Sequence, residues 1–212
     1  MPTIFKIFTI ERVYAGAMKK IPLFPYSNHI LPDGRTQLKI AQARHIRMVK
    51  EALISKKGFV MAMIDSEREH SEVKDVPAIS THVKVIDFNR LEGDLLGITV
   101  EGIDLLKIEQ IRIEDDKLLI AECMPFSTWA PSQTTTSNQC LAQRLKQLYS
   151  SQPEMGNLYP TPQFDDMTWV CQRWLEVLPI EVKYKQMLIH QKTPNLAIRF
   201  LIKLLQDKNL NH

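Results

Sequence analysis

Apolar and polar residues alternate with two different periods along this chain, and the period changes near its middle. From residue 18 to about 126 the apolar positions come in short runs or at every second residue, which predicts strands; from about 138 onward they recur every third or fourth residue, which predicts helices. Ile21-Pro22-Leu23-Phe24-Pro25 opens the first part as an extended segment, confined by its prolines to an edge or a strand end. Pro32-Asp33-Gly34 reads as a turn. Ile46, Val49, Ala52 and Leu53 then place one buried face on a helix predicted over Leu38–Ile54, with Gly58 as its stop. The opposite face carries Lys39, Arg44, Arg47 and Lys50 and reads as solvated. Strands follow over Gly58–Ile64, His82–Phe88 and Leu96–Val100. Leu105–Ile113 and Leu118–Cys123 flank Glu114-Asp115-Asp116-Lys117 as a hairpin with a polar turn. About five short strands with a single helix predict a curled sheet or a barrel closed to remove its edges.

In the second part, Leu141, Leu145 and Leu148 mark a helix over Asn138–Tyr149. Asp165-Asp166 supplies a cap for the next, which runs through Trp169, Val170, Trp174 and Leu178 to Pro179. A further stretch covers Glu181–Gln191, and Thr193-Pro194 introduces the last, Asn195–Asp207. That last helix is apolar on several sides. It reads as the central helix of a bundle or, alternatively, as a surface for a partner helix or for a dimer. The expected fold class is α+β: an N-terminal extension over residues 1–17, a β domain over 18–126, a Pro/Ser/Thr-rich linker over 127–137 and a helical domain over 138–212.

Composition changes this picture little. Of the 212 residues, 44% are apolar and 24% charged, as in ordinary globular chains, and a chain of this length buries a core without staples. Cys123, Cys140 and Cys171 match no zinc spacing and read as reduced thiols. No stretch approaches the roughly 20 apolar residues a membrane-spanning helix needs, and the N-terminus lacks a signal-peptide pattern, so a cytoplasmic protein is expected. Charge is unevenly spread: residues 1–60 hold 11 Lys/Arg against 3 acids, and residues 61–127 hold 7 against 15. Segments of opposite charge packing together explain this; a basic face for nucleic acid or an acidic partner is the alternative.

The chemistry is mostly a matter of what is missing. No glycine-rich loop ends in Gly-Lys-Ser/Thr, and no Gly-x-Ser-x-Gly elbow presents a serine. The acidic stretch Asp65–Asp75 contains one histidine, His70, without a second at helical spacing, so it reads as a solvated loop and no metal is expected. His82 and Cys123 fall on predicted strands that could be neighbours, but with no third group to orient them Cys123 reads as core. No catalytic residue and no cofactor is assigned. Phe126 and Trp129, in the connection between the two parts, either seal the junction or line a groove for an extended peptide.

Several motifs in this order resemble one family. Ile21-Pro22-Leu23-Phe24-Pro25, Ile30-Leu31-Pro32-Asp33-Gly34, and Leu38-Lys39-Ile40 with Arg44-His45-Ile46-Arg47-Met48-Val49 are similar to the opening of the Lon protease N-terminal domain. Gly58-Phe59-Val60, Val83 to Phe88 and Gly97 to Gly102 resemble its successive strands, and Trp174 to Ile180 with Lys185-Gln186-Met187-Leu188 its helical segment. The chain departs from the family at Ala41-Gln42, at His45 and at Ile103-Asp104-Leu105-Leu106. The resemblance implies a PUA-like β-barrel with one helix followed by a helical bundle, in a free-standing form without ATPase or peptidase parts. It marks Pro22, Phe24, Pro25, Pro32, Gly34, Arg44, Gly58, Gly97, Gly102, Trp174 and Pro179 as signature positions of structural type. It implies a binding module for unfolded polypeptide or a protein partner. RNA binding is the alternative, since PUA-like barrels include RNA binders and the segment carrying Arg44, Arg47 and Lys50 is basic; with no long apolar segment, no role at a membrane is expected.

Overall fold

The structure is a computed structural model, and it describes residues 18–64 and 78–207. Six strands form one sheet: β1 (Lys19–Tyr26), β2 (Arg35–Ile40), β3 (Phe59–Met63), β4 (Ile79–Arg90), β5 (Leu96–Ile113) and β6 (Leu119–Pro125). Their order is β2-β5-β4-β3-β1-β6, and β6 pairs back onto β5. Five strands therefore close into a barrel, and β2 stands outside the ring, held by β5 alone. Only β1 and β3 run parallel; the other pairs are antiparallel.

One long strand makes the closure work. β5 pairs with β2 and β4 through its first half and with β6 through its second. Register shifts at His82/Val83, Val85/Asp87 and Ile108/Gln110 bend it round the ring, as bulges do. The two strands expected over Leu96–Val100 and Leu105–Ile113 are thus one. Polar Asp104 and the close-packed Gly102 interrupt the apolar run without interrupting the pairing.

The helix α1 (Ala43–Ser55) starts later than its apolar pattern predicts. Leu38 and Ile40 belong to β2, where they alternate inward with exposed Gln37 and Lys39. The local spacing fits both readings, and pairing with β5 decides it. Met48, Val49 and Ala52 of α1 cover one barrel cluster together with Phe59, Met61, Val83, Ile98 and Val100. The alternate residues of β3, Val60 and Ala62, face a second cluster with Leu23, Ala121 and Cys123. Lys56, in the left-handed region, ends α1, and Gly58 at φ +67 turns the chain into β3. A Cβ on Gly58 would strike the Val83 carbonyl, so only glycine fits there.

The hairpin at Glu114–Lys117 forms as its polar turn predicts. Arg47 of α1 clamps it with bonds to Glu114 and, at 2.8 Å, to Asp116, besides Glu51 on its own helix. The Arg47 face is therefore engaged with acids rather than simply solvated. It is the local form of the attraction between basic and acidic segments.

The helical part comprises α2 (Gln139–Ser151), a single turn α3 (Pro153–Gly156), α4 (Met167–Val177), α5 (Val182–Ile189) and α6 (Asn195–Asp207). Asp166 caps α4 by accepting from the Thr168 N–H, and Pro179 follows its end. The central helix is α4, whose residues Met167–Leu175 are all buried, and not α6. Ala197, Leu201 and Leu205 form the buried stripe of α6, while its remaining apolar residues are half-buried. The connection at 127–137 is tied down: Ser132 N–H and Thr134 N–H donate to Asp166 and Asp165, and Gln133 bridges to Asp166. No helix among the described residues is long and apolar enough to cross a membrane.

Candidate functional site

A cleft of about 520 Å³ opens where the barrel meets the helices. Its barrel wall is Asn28, His29, Ile30, Arg35 and Thr36, from the loop before β2 and from β2 itself; its helical wall is Leu148, Met155, Leu158, Tyr159 and Leu178. The walls are held together by charge that the sequence places inside an apolar helix. Arg173 and Glu176 are the only charged residues between Met167 and Leu178, and three-residue spacing puts them on one face of α4.

That face meets the turn Ile30–Gly34. Arg173 is fully buried; its Nε donates to Glu176 Oε2 at 2.6 Å, and its Nη2 donates to Glu176 Oε1 and to the Pro32 carbonyl, both at 2.8 Å. The Leu31 N–H donates to Glu176 Oε1 at 2.7 Å. The guanidinium lies 5.3 Å above the Trp169 ring and 5.7 Å from the Tyr159 ring, so cation–π attraction covers what the acceptors leave. Gly34 and Gly102 make the approach feasible: a Cβ on Gly34 would strike Glu176, and one on Gly102 would strike the Leu31 carbonyl. Pro32 contributes its backbone carbonyl to this junction, and Gly34 and Gly102 leave it the room it needs.

Burial dominates the titration of the site. It pushes the Glu176 carboxyl up, against the pull of Arg173. Burial, aided by the nearby Lys185 charge, lowers His29 to about 3, so the imidazole is neutral; its Nδ1 sits 3.0 Å from the Met63 sulfur. Burial also lowers Lys185 to about 8, with Glu176 opposing. Tyr159 is raised to about 12 and uses its hydroxyl as acceptor for the Arg35 N–H at 3.0 Å. Arg35 in turn reaches the Leu158 carbonyl and Glu101. On the far side of the junction, the Gln186 amide pairs with both backbone groups of Ile79 as a neighbouring strand would.

Most of these polar groups hold one another, although the buried Arg173 Nη1 has no hydrogen-bond partner among the described residues, and none of them forms a nucleophile–base pair. Cys123 lies in the barrel core, where burial raises its thiol to about 11; it pairs in register with Lys19 and Ile108, not with β4. His82 instead contacts the Lys57 carbonyl at 2.6 Å; its strand β4 does not pair with β6, and Cys123 is a core residue as its sequence context predicts. No cluster of potential metal ligands occurs among the described residues, and His70 with its acidic stretch lies outside them.

The aromatic pair in the connection lies against the end of α5. Trp129 is buried and donates to the Gln191 carbonyl at 2.8 Å; Phe126 packs 5.5 Å from His190. Neither lines the cleft. Trp174 does line it, while its indole donates to the Leu141 carbonyl and ties α4 to α2. Among the other signature positions, Phe24 packs edge-on to His45 and Phe59, Pro22 and Pro25 sit in β1, Gly97 faces Asn89 across the β4–β5 pair, and Arg44 is half-buried on α1. Sequence reasoning passed over the Arg173–Glu176 pair. The signal is two opposite charges three apart in an otherwise uncharged helix that also carries Trp169 and Trp174.

A family model described as the ATP-dependent protease La (LON) substrate-binding domain matches residues 20–207. Two solved structures share the fold. The Lon N-terminal domain protein from Xanthomonas campestris is 19% identical with a TM-score of 0.68, over 87% of this chain and 98% of that one. The N-terminal domain of a Mycobacterium avium complex Lon protease is 13% identical with a TM-score of 0.60, over 89% and 99%. No curated protein sequence matches the chain significantly.

Proposed function

Because the chain belongs to the Lon substrate-binding domain family, we propose that it is a non-catalytic recognition module for unfolded polypeptide segments, with the barrel–helix cleft as its site. The family match across residues 20–207 carries this reading. The chemistry of the cleft supports it: apolar walls from Leu148, Met155 and Leu158 accept side chains of many shapes, and the buried charges serve to hold the walls. Recognition of varied polypeptide needs such a surface and no activated nucleophile. The RNA alternative would use Arg44, Arg47 and Lys50, but Arg47 already serves three carboxylates.

An anisotropy titration tests the proposal, with a labelled unfolded polypeptide as ligand and unlabelled RNA as competitor. Saturable binding that RNA leaves in place, with the polypeptide intact afterwards, is the expected result. Ready displacement by RNA, or cleavage, overturns it.

A further inference from the structure

Among the described residues β2 is the one strand outside the ring, and its hydrogen bonds can be followed residue by residue. The Gly34 carbonyl accepts from the Gly102 N–H at 2.9 Å, so Gly34 points toward β5. The Arg35 N–H points the other way, to the Tyr159 hydroxyl. Backbone direction alternates along a strand, so Thr36, Leu38 and Ile40 face β5, and Gln37 and Lys39 follow Arg35 outward. The outward N–H and C=O groups of Gln37 and Lys39 have no partner among the described residues. Tyr159 closes one end of this row, where Arg35 and Thr36 enter the wall of the cleft. Both Gln37 and Lys39 are exposed.

We propose that the outer edge of β2 takes an extended polypeptide as an added strand, held by the backbone groups of Gln37 and Lys39, with apolar side chains at the cleft and acidic ones beside Lys39. The proposal rests on the polypeptide-recognition reading and supplies its binding mode. Main-chain pairing is indifferent to sequence, as recognition of varied segments requires. Charge narrows the choice. Across the outer face of β2, β5 and β4, Arg35 and Lys84 share Glu101, whereas Lys39 lies opposite Gly97 and has no ion-pair partner among the described residues. An acidic side chain on an added strand would fill that place. The edge is short and bears a lysine, the features that limit indiscriminate pairing and keep binding reversible.

Proline at position 37 removes an outward N–H while leaving every bond to β5, so Gln37→Pro isolates the edge; Gln37→Ala is the control. The probe is a fluorescein-labelled peptide of alternating valine and glutamate, used alongside the same peptide N-methylated at alternate amides and a valine–lysine version. Gln37→Pro and N-methylation should each weaken binding about tenfold, and Gln37→Ala less than about twofold. The valine–lysine peptide should bind more weakly than the valine–glutamate one. The N-methylated peptide reports on the edge of the unaltered protein, whatever the proline variant's stability. Equal binding of N-methylated and plain peptides overturns the added strand while leaving polypeptide recognition standing. Equal binding of the two charge versions overturns the role of Lys39. If no peptide binds, the reading beneath falls with it.

Discussion

Replacing Arg173 by methionine probes the junction most sharply. The substitution keeps much of the side-chain volume but removes the guanidinium. With it go two bonds to Glu176, one to the Pro32 carbonyl and the contacts over Trp169 and Tyr159. What remains is a buried carboxylate with the Leu31 N–H as its hydrogen-bond donor and the Lys185 charge nearby. Breaking a buried pair from one side costs about 3–5 kcal/mol, most of it the burden of the stranded charge. For a chain of this size that is a fall in Tm of roughly 10 °C. The double variant Arg173→Met with Glu176→Gln removes the stranded charge and keeps an acceptor for Leu31, so it should regain at least about half of the loss. Urea unfolding followed by tryptophan fluorescence, with equal slopes for all variants, measures both. If Arg173→Met costs less than about 1 kcal/mol, or if the double variant is no better than the single, the pair does not hold the junction in the way argued.

Other consequences are accessible to the same methods. His29 is held well below its ordinary value, so the unfolded chain takes up a proton that the folded one refuses between pH 6.5 and about 3. Stability should therefore fall on acidification through that window by up to about 1.4 kcal/mol per pH unit more than in His29→Gln, and parallel pH profiles for the two proteins would refute the assignment. Gly58→Ala should destabilise by about 2 kcal/mol or more, because the left-handed turn and the Val83 carbonyl both oppose a side chain. Gly93→Ala, also at positive φ but with open space around it, should cost only about 1 kcal/mol by the same urea assay. Arg47→Glu should lower Tm more in dilute buffer than in about 1 M salt, since its carboxylate partners are exposed.

What the sequence conveyed followed from local pattern. The hairpin at Glu114–Lys117, the cap at Asp166 and the stop at Pro179 are each written within a few residues, and all three appear in the structure. The local pattern merges β2 with the helix that follows it, because Leu38 and Ile40 fit either period; the contact that decides, Leu38 opposite Ile98 of β5, lies about sixty residues along the chain. The same distance hides the closure of the barrel and the continuity of β5. The apolar richness of α6 pointed to a central helix, yet α4 with its buried arginine and glutamate holds that place. Burial of a charge depends on the partner brought to it, here the turn at Leu31–Pro32, and no local period reports that. The cleft is illegible for this reason, while Phe126 and Trp129 stand out in the sequence as aromatics in the connection between the two parts.

The most direct test of polypeptide recognition is an amide-resolved NMR titration of the isotopically labelled protein with an unlabelled, permanently unfolded polypeptide. The account predicts saturable shift changes at His29, Thr36, Gln37, Lys39 and Tyr159, around the cleft and the free edge of β2, with the polypeptide intact throughout. No saturable change, or changes confined to Arg44 and Lys50 on α1, would contradict it.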